Sequence, residues 1–170
     1  MSGLGLPDPT LGVRLARAGE FEELGELTAR AYEPFTTGPD DPYIERLRDA
    51  GGRAATGELW VAVLDDTPVG CVTYCPPGSP MRELAEGHEG EFRMLAVHAR
   101  ARGRGVGAAL VLKCEERARA QASTGMVICS LPDMSAAHRL YARLGYRRAP
   151  ARDWNPVAGV DLIAFDKELT

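Results

Sequence analysis

The sequence lacks most of the features that mark specialised protein classes. No apolar run approaches the roughly 20 residues needed to span a bilayer. Met1 to Gly12 has neither a basic start nor an apolar core, so no secretory leader is expected there and the cytoplasm is the expected location. Only 4 cysteines and 3 histidines occur among 170 residues. Cys71, Cys75, Cys114 and Cys129 follow no metal-ligand spacing, and Cys71 and Cys75 would stand ~13 Å apart along one strand, too far to bridge. His88, between Glu86 and Glu89, has no second His or Cys nearby. Neither a disulfide scaffold nor a metal site is therefore expected. Basic charge is also not in excess: 20 Lys and Arg against 24 Asp and Glu leave a net charge of −4. That argues against nucleic acid as a partner and leans towards a cationic one, such as an amine.

What remains is an ordinary globular composition, 45% hydrophobic and 26% charged, at a length suited to one domain. Met1 to Thr10, with two prolines and two glycines, reads as a flexible lead-in to a single domain over 11–170. Leu11 to Ala16 suits a first strand, and Phe21 to Tyr32 a helix with Phe21, Leu24, Leu27 and Ala31 on one face. A shorter helix is expected from Pro42 to Ala50, stopped by Gly51-Gly52. Leu59 to Leu64 and Val69 to Tyr74 form a hairpin across Asp65 to Pro68. Pro76 to Gly90 is linker with a turn of helix near Met81 to Ala85. After a central strand and helix come a strand at Met126 to Leu131, a helix from Ala136 to Leu144 between Ser135 as N-cap and Gly145 as stop, and strands at Tyr146 to Arg148 and Val160 to Phe165. This order alternates too irregularly for a doubly wound sheet. It suits an α/β domain of the α+β type, a mixed, mostly antiparallel sheet of six to seven strands flanked by about four helices.

The chemistry concentrates between Glu91 and Gln121. Glu91 to Val97 is a short apolar strand, and His98 to Arg102 leads off it. Arg102-Gly103-Arg104-Gly105-Val106-Gly107 places glycines on alternate positions, which lets backbone N–H groups approach an anion closely. Val106 to Gln121 is helical, so the glycine turn opens a helix whose free N–H groups and dipole favour a phosphate, with Arg102 and Arg104 adding charge. Gly103-x-Gly105-x-x-Ala108 also meets a loose dinucleotide fingerprint, but that motif follows its strand directly and opens a βαβ unit near the chain start.

This stretch resembles the acetyl-CoA site of the GNAT superfamily of N-acetyltransferases, [Q/R]-x-x-G-x-[G/A], with Arg102, Gly105 and Gly107 at the defining positions. A second family motif follows in order, Ala137-x-x-Leu140-Tyr141-x-x-x-Gly145-Tyr146. The resemblance implies that Gly103, Arg104, Val106 and Ala108 join those three residues around the pyrophosphate. Leu95, Ala96 and Val97 would hold the pantetheine arm and acetyl carbonyl through their backbones. It implies Tyr141 as the proton donor to the departing thiolate, and acceptor-side roles for Tyr32, Phe35 and Tyr43. Where many relatives carry an Asn seven residues before the Tyr, this chain has Met134. His138, three residues before Tyr141, is expected on the helix surface.

The implied reaction is acetyl transfer from acetyl-CoA to a primary amine by direct attack in a ternary complex. A lysine amine, with a pKa of about 10.4, is neutral in fewer than about one molecule in a thousand at pH 7, so a base is expected for it. Period-2 alternation puts Glu91 on one strand face with Arg93, Leu95 and Val97. Glu91 also matches the catalytic Glu of a histone-acetylating branch, which makes it the candidate base, with Glu89 as the second choice. Trp154, in the loop over 149–159, is the candidate to shape the amine pocket. The alternative is a catalytically silent acyl-CoA sensor or interaction domain, which would need neither Glu91 nor Tyr141. The family's frequent sheet-edge pairing leaves a homodimer open.

Overall fold

The computed structural model describes residues 10–170, so the lead-in expected over 1–10 lies, apart from Thr10, outside the described residues. The apolar runs form a meander, β1 (Leu11–Leu15), β2 (Glu58–Leu64), β3 (Thr67–Cys75) and β4 (Glu89–Val97), each antiparallel to its neighbour. Next to β4 lies β5 (Gly125–Ser130), its parallel neighbour, and then β8 (Val160–Glu168), antiparallel to β5 and carrying both β6 (Arg147–Arg148) and β7 (Trp154–Val157). The sheet is mixed and mostly antiparallel, with eight strands rather than six to seven. The additional pairing comes from the 149–159 segment, which folds back on β8 through Trp154 and Leu162 instead of remaining loop.

The helices cover both faces. On one face α4 (Val106–Ala120) and α5 (Ser135–Arg143) pack against β2 to β5 and β8, burying Leu110, Cys114, Phe92, Met126 and Tyr141 in the larger core. On the other, α1 (Phe21–Tyr32), α2 (Tyr43–Arg48) and α3 (Ala50–Thr56) bury Leu24, Leu27, Leu47 and Ala50 against Val61, Cys71, Met94 and Ala96. Glu115, 1% exposed, ties α4 to the far side of the sheet by accepting from Lys167 at 2.8 Å and the Tyr146 hydroxyl at 3.2 Å.

Two local expectations need correcting. Gly51-Gly52 does not stop a helix but lies inside α3, which starts because the Asp49 carboxylate accepts the Gly52 N–H at 2.9 Å. A Cβ on Gly52 would stand 2.2 Å from that carboxylate, so the glycine is what admits the cap. Residues 81–85 form a turn at Met81 and bends at Glu83 and Leu84 rather than a helical turn, because the N–H groups of Glu83, Leu84 and Ala85 are drawn to the buried Glu91 carboxylate. The end of α5 is as expected: Gly145, at φ 91°, closes a Schellman motif in which the Tyr146 N–H donates to Tyr141 O and the Gly145 N–H to Ala142 O. That turn stacks Tyr146 beside Tyr141, ring centroids 5.9 Å apart.

Candidate active site

The site begins where β4 and β5 part. They pair only from Glu89–Gly125 to Glu91–Val127; beyond that β4 runs on beside β3, and β5 beside β8. The divergence is reinforced by a bulge. Ala96 pairs with Cys71 and Arg93 with Thr73, so Met94 and Leu95 together oppose Val72, with Met94 at φ 54°. The bulge also breaks the simple alternation expected along the strand. Glu91, Arg93, Met94 and Ala96 face α1 to α3, whereas Phe92, Leu95 and Val97 face α4 and α5. Glu91 therefore does not share a face with Leu95 and Val97. The carbonyl of Ala96 turns to β3, 2.9 Å from where a Cβ on Gly70 would stand, and His98 N–H donates to Val69 O at 2.7 Å. Alternation past the bulge then puts the N–H and C=O groups of Val97, between Ala96 and His98, on the gap side.

On the α4 side of the gap, residues 99–101 form a 3-10 turn, and Gly103 (φ 77°) and Gly105 (φ 81°) adopt the left-handed conformation before α4. Gly105 is the N-cap of α4 and has no side chain to offer its first turn. The N–H groups of Val106, Gly107 and Ala108 accordingly have no intrahelical acceptor and face outward from a helix N-terminus. Gly107 packs against α5: a Cβ there would stand 3.0 Å from the Leu140 Cδ2. The residues fit a pyrophosphate on the grounds of this uncapped turn, flanked by Arg102 and Arg104.

Tyr141 lies on the α5 side, 4% exposed, with its ring edge-on to Phe92 and Phe165 at centroid distances of 6.0 and 5.6 Å. Burial pushes its phenol well above the usual range, with the Cys129 and Cys114 thiols adding to the effect. His138 is half-buried rather than on the surface, its Nε2 3.1 Å from Ser130 Oγ and its ring beside Phe165. Burial lowers its pKa.

The two carboxylates named from sequence are both occupied. Glu91 is fully buried, and its carboxylate accepts the backbone N–H groups of Glu83, Leu84 and Ala85 at 2.8 to 3.1 Å. Glu89 takes both arms of Arg152 at 2.8 Å and the Glu86 N–H at 3.1 Å. Burial pushes its pKa up, but Arg152 and that N–H outweigh it and hold it below the usual carboxylate value. These two residues fasten the segment over 83–86, and that segment carries a carboxylate that sequence reasoning passed over. Glu83 reaches Arg93 Nε at 2.8 Å and accepts from the Cys129 thiol at 3.8 Å. Arg93 and Cys129 lie on β4 and β5 beyond their last pair, so Glu83 bridges the mouth of the gap. No local motif marks it; only the fold brings it there.

Of the residues expected on the acceptor side, Tyr32 and Tyr43 lie near Arg93 and each other, their phenols raised chiefly by burial. Trp154 stands against Cys129, its indole N–H buried without a full hydrogen bond. Phe35 is half-buried in a 3-10 turn beyond α1, and the contacts that gather the other aromatics do not include it. Behind Arg93 a cavity of about 350 Å³ extends between α2, α3 and the 80–81 turn, lined by Arg46, Asp49, Arg53 and Met94 among others. Among the described residues no cluster of three or more His, Cys, Asp or Glu could hold a metal ion, and no helix is long and apolar enough to cross a membrane.

A family model for acetyltransferases of the GNAT family matches residues 21–146, well over half of the chain. The chain belongs to the GNAT acetyltransferase family. It is an acetyl-CoA-dependent acyltransferase. Solved GNAT-type structures are similar across nearly its whole length. yncA of Salmonella typhimurium, with its cofactor acetyl-CoA, matches at 18% identity and TM-score 0.68 over 95% of each chain. The PaiA N-acetyltransferase of Thermoplasma acidophilum, in complex with coenzyme A, matches at 13% identity and TM-score 0.72 over 94% of this chain and 99% of its own. A GCN5-related N-acetyltransferase from Kribbella flavida matches at 23% identity and TM-score 0.68 over 94% and 98%. No curated protein matches the chain by sequence.

Proposed function

We propose that this GNAT protein transfers the acetyl group of acetyl-CoA to a primary amine, by direct attack in a ternary complex. A small-molecule amine, a protein α-amine and a lysine side chain are the substrates within its reach. The observation that carries the reading is the parting of β4 and β5 beyond Glu91 and Val127, with Tyr141 on one side and an aromatic, charged recess on the other. Acetyl-CoA supplies an activated thioester. Arg102, Gly103, Arg104, Gly105, Val106, Gly107 and Ala108 would hold its pyrophosphate, and the backbones of Leu95 and Val97 its pantetheine arm and carbonyl oxygen. Ala96 is left to β3.

Tyr141 assists the departing thiolate. A phenol near pKa 10 gives its proton to a thiolate whose acid is near 8.5 uphill by about 2 kcal/mol, and burial makes that climb steeper here. Its contribution is therefore a hydrogen bond that steadies the thiolate as it forms, more than complete proton transfer. Trp154 borders the amine. A cytoplasmic setting agrees with four unbridged cysteines.

The test is calorimetric titration with acetyl-CoA, CoA and NAD, followed by thiol release against a panel of amines with wild type and Tyr141→Phe. Binding of CoA but not NAD is expected, with turnover on at least one amine and kcat lowered about 10-fold or more by the mutation. Absence of CoA binding would overturn the cofactor reading, and absence of thiol release with every amine would overturn the amine reading.

A further inference from the structure

We propose that Glu83, rather than Glu91, accepts the proton of the incoming amine, and that Glu91 acts through it by holding the turn from which Glu83 projects. The inference rests on the amine N-acetyltransferase reading and adds the residue that activates the amine.

Three placements support it. Glu83 is the carboxylate at the mouth of the β4–β5 gap, joined to Arg93 on one strand and to Cys129 on the other. Cys129 stands on β5 two residues past its last pair with β4, so the carboxylate that meets its thiol lies where the two strands have parted. Finally, Glu83 keeps a side-chain exposure of 17%, enough for an amine or a bridging water to reach it, whereas Glu91 has none.

The groups facing Glu83 are Arg93 and Glu91 from β4, Arg46 and Tyr43 from α2, Cys75 from β3 and Cys129 from β5. Burial raises its pKa above the usual carboxylate value, against Arg93 and with support from Glu91. A raised value brings a carboxylate closer to the operating pH, where a base works best.

The proton balance is complete with these residues. Glu83 takes one proton from the ammonium, and the freed nitrogen forms the C–N bond while the C–S bond breaks. The second nitrogen proton passes through water to the sulfur, whose developing charge Tyr141 steadies by a hydrogen bond until the proton arrives. One amide, one thiol and one proton, released from Glu83 to water, result.

The experiment compares wild type, Glu83→Gln and Glu83→Asp on the amine found by the thiol-release panel and on its fluorinated, weakly basic analogue. Acetyl-CoA titration of each variant serves as the check of folding. Glu83→Gln is expected to keep acetyl-CoA affinity, to lose about 100-fold or more in kcat/KM on the strongly basic amine, and to have the acid limb of its pH profile moved from the carboxylate up towards the pKa of the amine itself. On the analogue, which arrives neutral, the loss should shrink to a few-fold. Glu83→Asp should recover part of the rate and the acid limb. Equal losses on both amines, an unchanged acid limb, or wild-type turnover in Glu83→Gln would overturn the proposal. Each of those results needs a wild type that binds acetyl-CoA and turns over, so it leaves the N-acetyltransferase reading standing.

Discussion

Replacing Glu91 by Gln separates a structural carboxylate from a catalytic one. In the native chain the Oε1 of Glu91 receives three N–H groups, from Glu83, Leu84 and Ala85, and Oε2 receives the Glu83 N–H again. A glutamine whose carbonyl replaces Oε1 keeps those bonds but makes them neutral, and its amide points donors at the Glu83 N–H. Hydrogen bonds to a charged group contribute about 1.5–3 kcal/mol against about 0.5–1.5 for neutral ones, so two or three downgraded bonds amount to roughly 2–3 kcal/mol. For a domain of this size each kcal/mol moves Tm by roughly 2–4 °C, which gives a fall of roughly 4–12 °C. Urea unfolding at fixed pH should show the midpoint moving with the slope unchanged. Glu91→Ala, which strands three N–H groups, should fall further. Below its unfolding range, Glu91→Gln should keep the acid limb of the pH profile with a reduced rate, because Glu83 is still present but less firmly held. A variant as stable as wild type whose rate falls about 100-fold or more, with the acid limb moved towards the pKa of the amine, would refute the reasoning and return Glu91 to the role of base.

Gly105→Val puts a β-branched residue at φ 81° where the N-cap of α4 needs the left-handed conformation. It should cost about 1–2 kcal/mol of stability and at least about 10-fold in acetyl-CoA affinity by calorimetry; unchanged affinity would detach this turn from the cofactor. Glu20 is bound by Arg14 at 2.8 Å through both arms, and that pair, with the Arg17 N–H, holds its pKa down to about 2 against an ordinary 4.5. A depressed carboxylate contributes stability above its unfolded pKa and loses it as pH falls from about 5 towards about 2. Because the pair is partly exposed, Glu20→Gln should cost at most about 1 kcal/mol at pH 7 and nothing measurable below pH 2, as urea midpoints at the two pH values would show.

The parts legible in the sequence were those decided by local chemistry. Alternate glycines before an alanine- and leucine-rich stretch can only serve as a turn into a helix. Gly145 after Leu144 ends a helix because glycine alone adopts φ 91° without strain. The apolar runs of β2, β3, β4 and β5 are strands because they are short and apolar, most of them with several β-branched residues, between turn-forming segments. Those features also carry the family motifs, so the glycine turn into α4 and the helix that bears Tyr141 could be located in advance.

What only tertiary structure decided were relations between distant segments. Gly51-Gly52 read as a stop because the cap from Asp49 depends on a carboxylate turning back onto the helix it starts. The bulge at Met94 depends on the register against β3, and it moved Leu95 and Val97 to the face opposite Glu91. Glu91 and Glu83 are eight residues apart and carry the same functional group, so no pattern tells a fully buried anchor from a half-buried carboxylate that solvent can reach. That distinction arises from which backbone N–H groups fold around one carboxylate and which strand gap the other one crosses. Burial and partnership set what a carboxylate can do, and both are properties of the assembled chain.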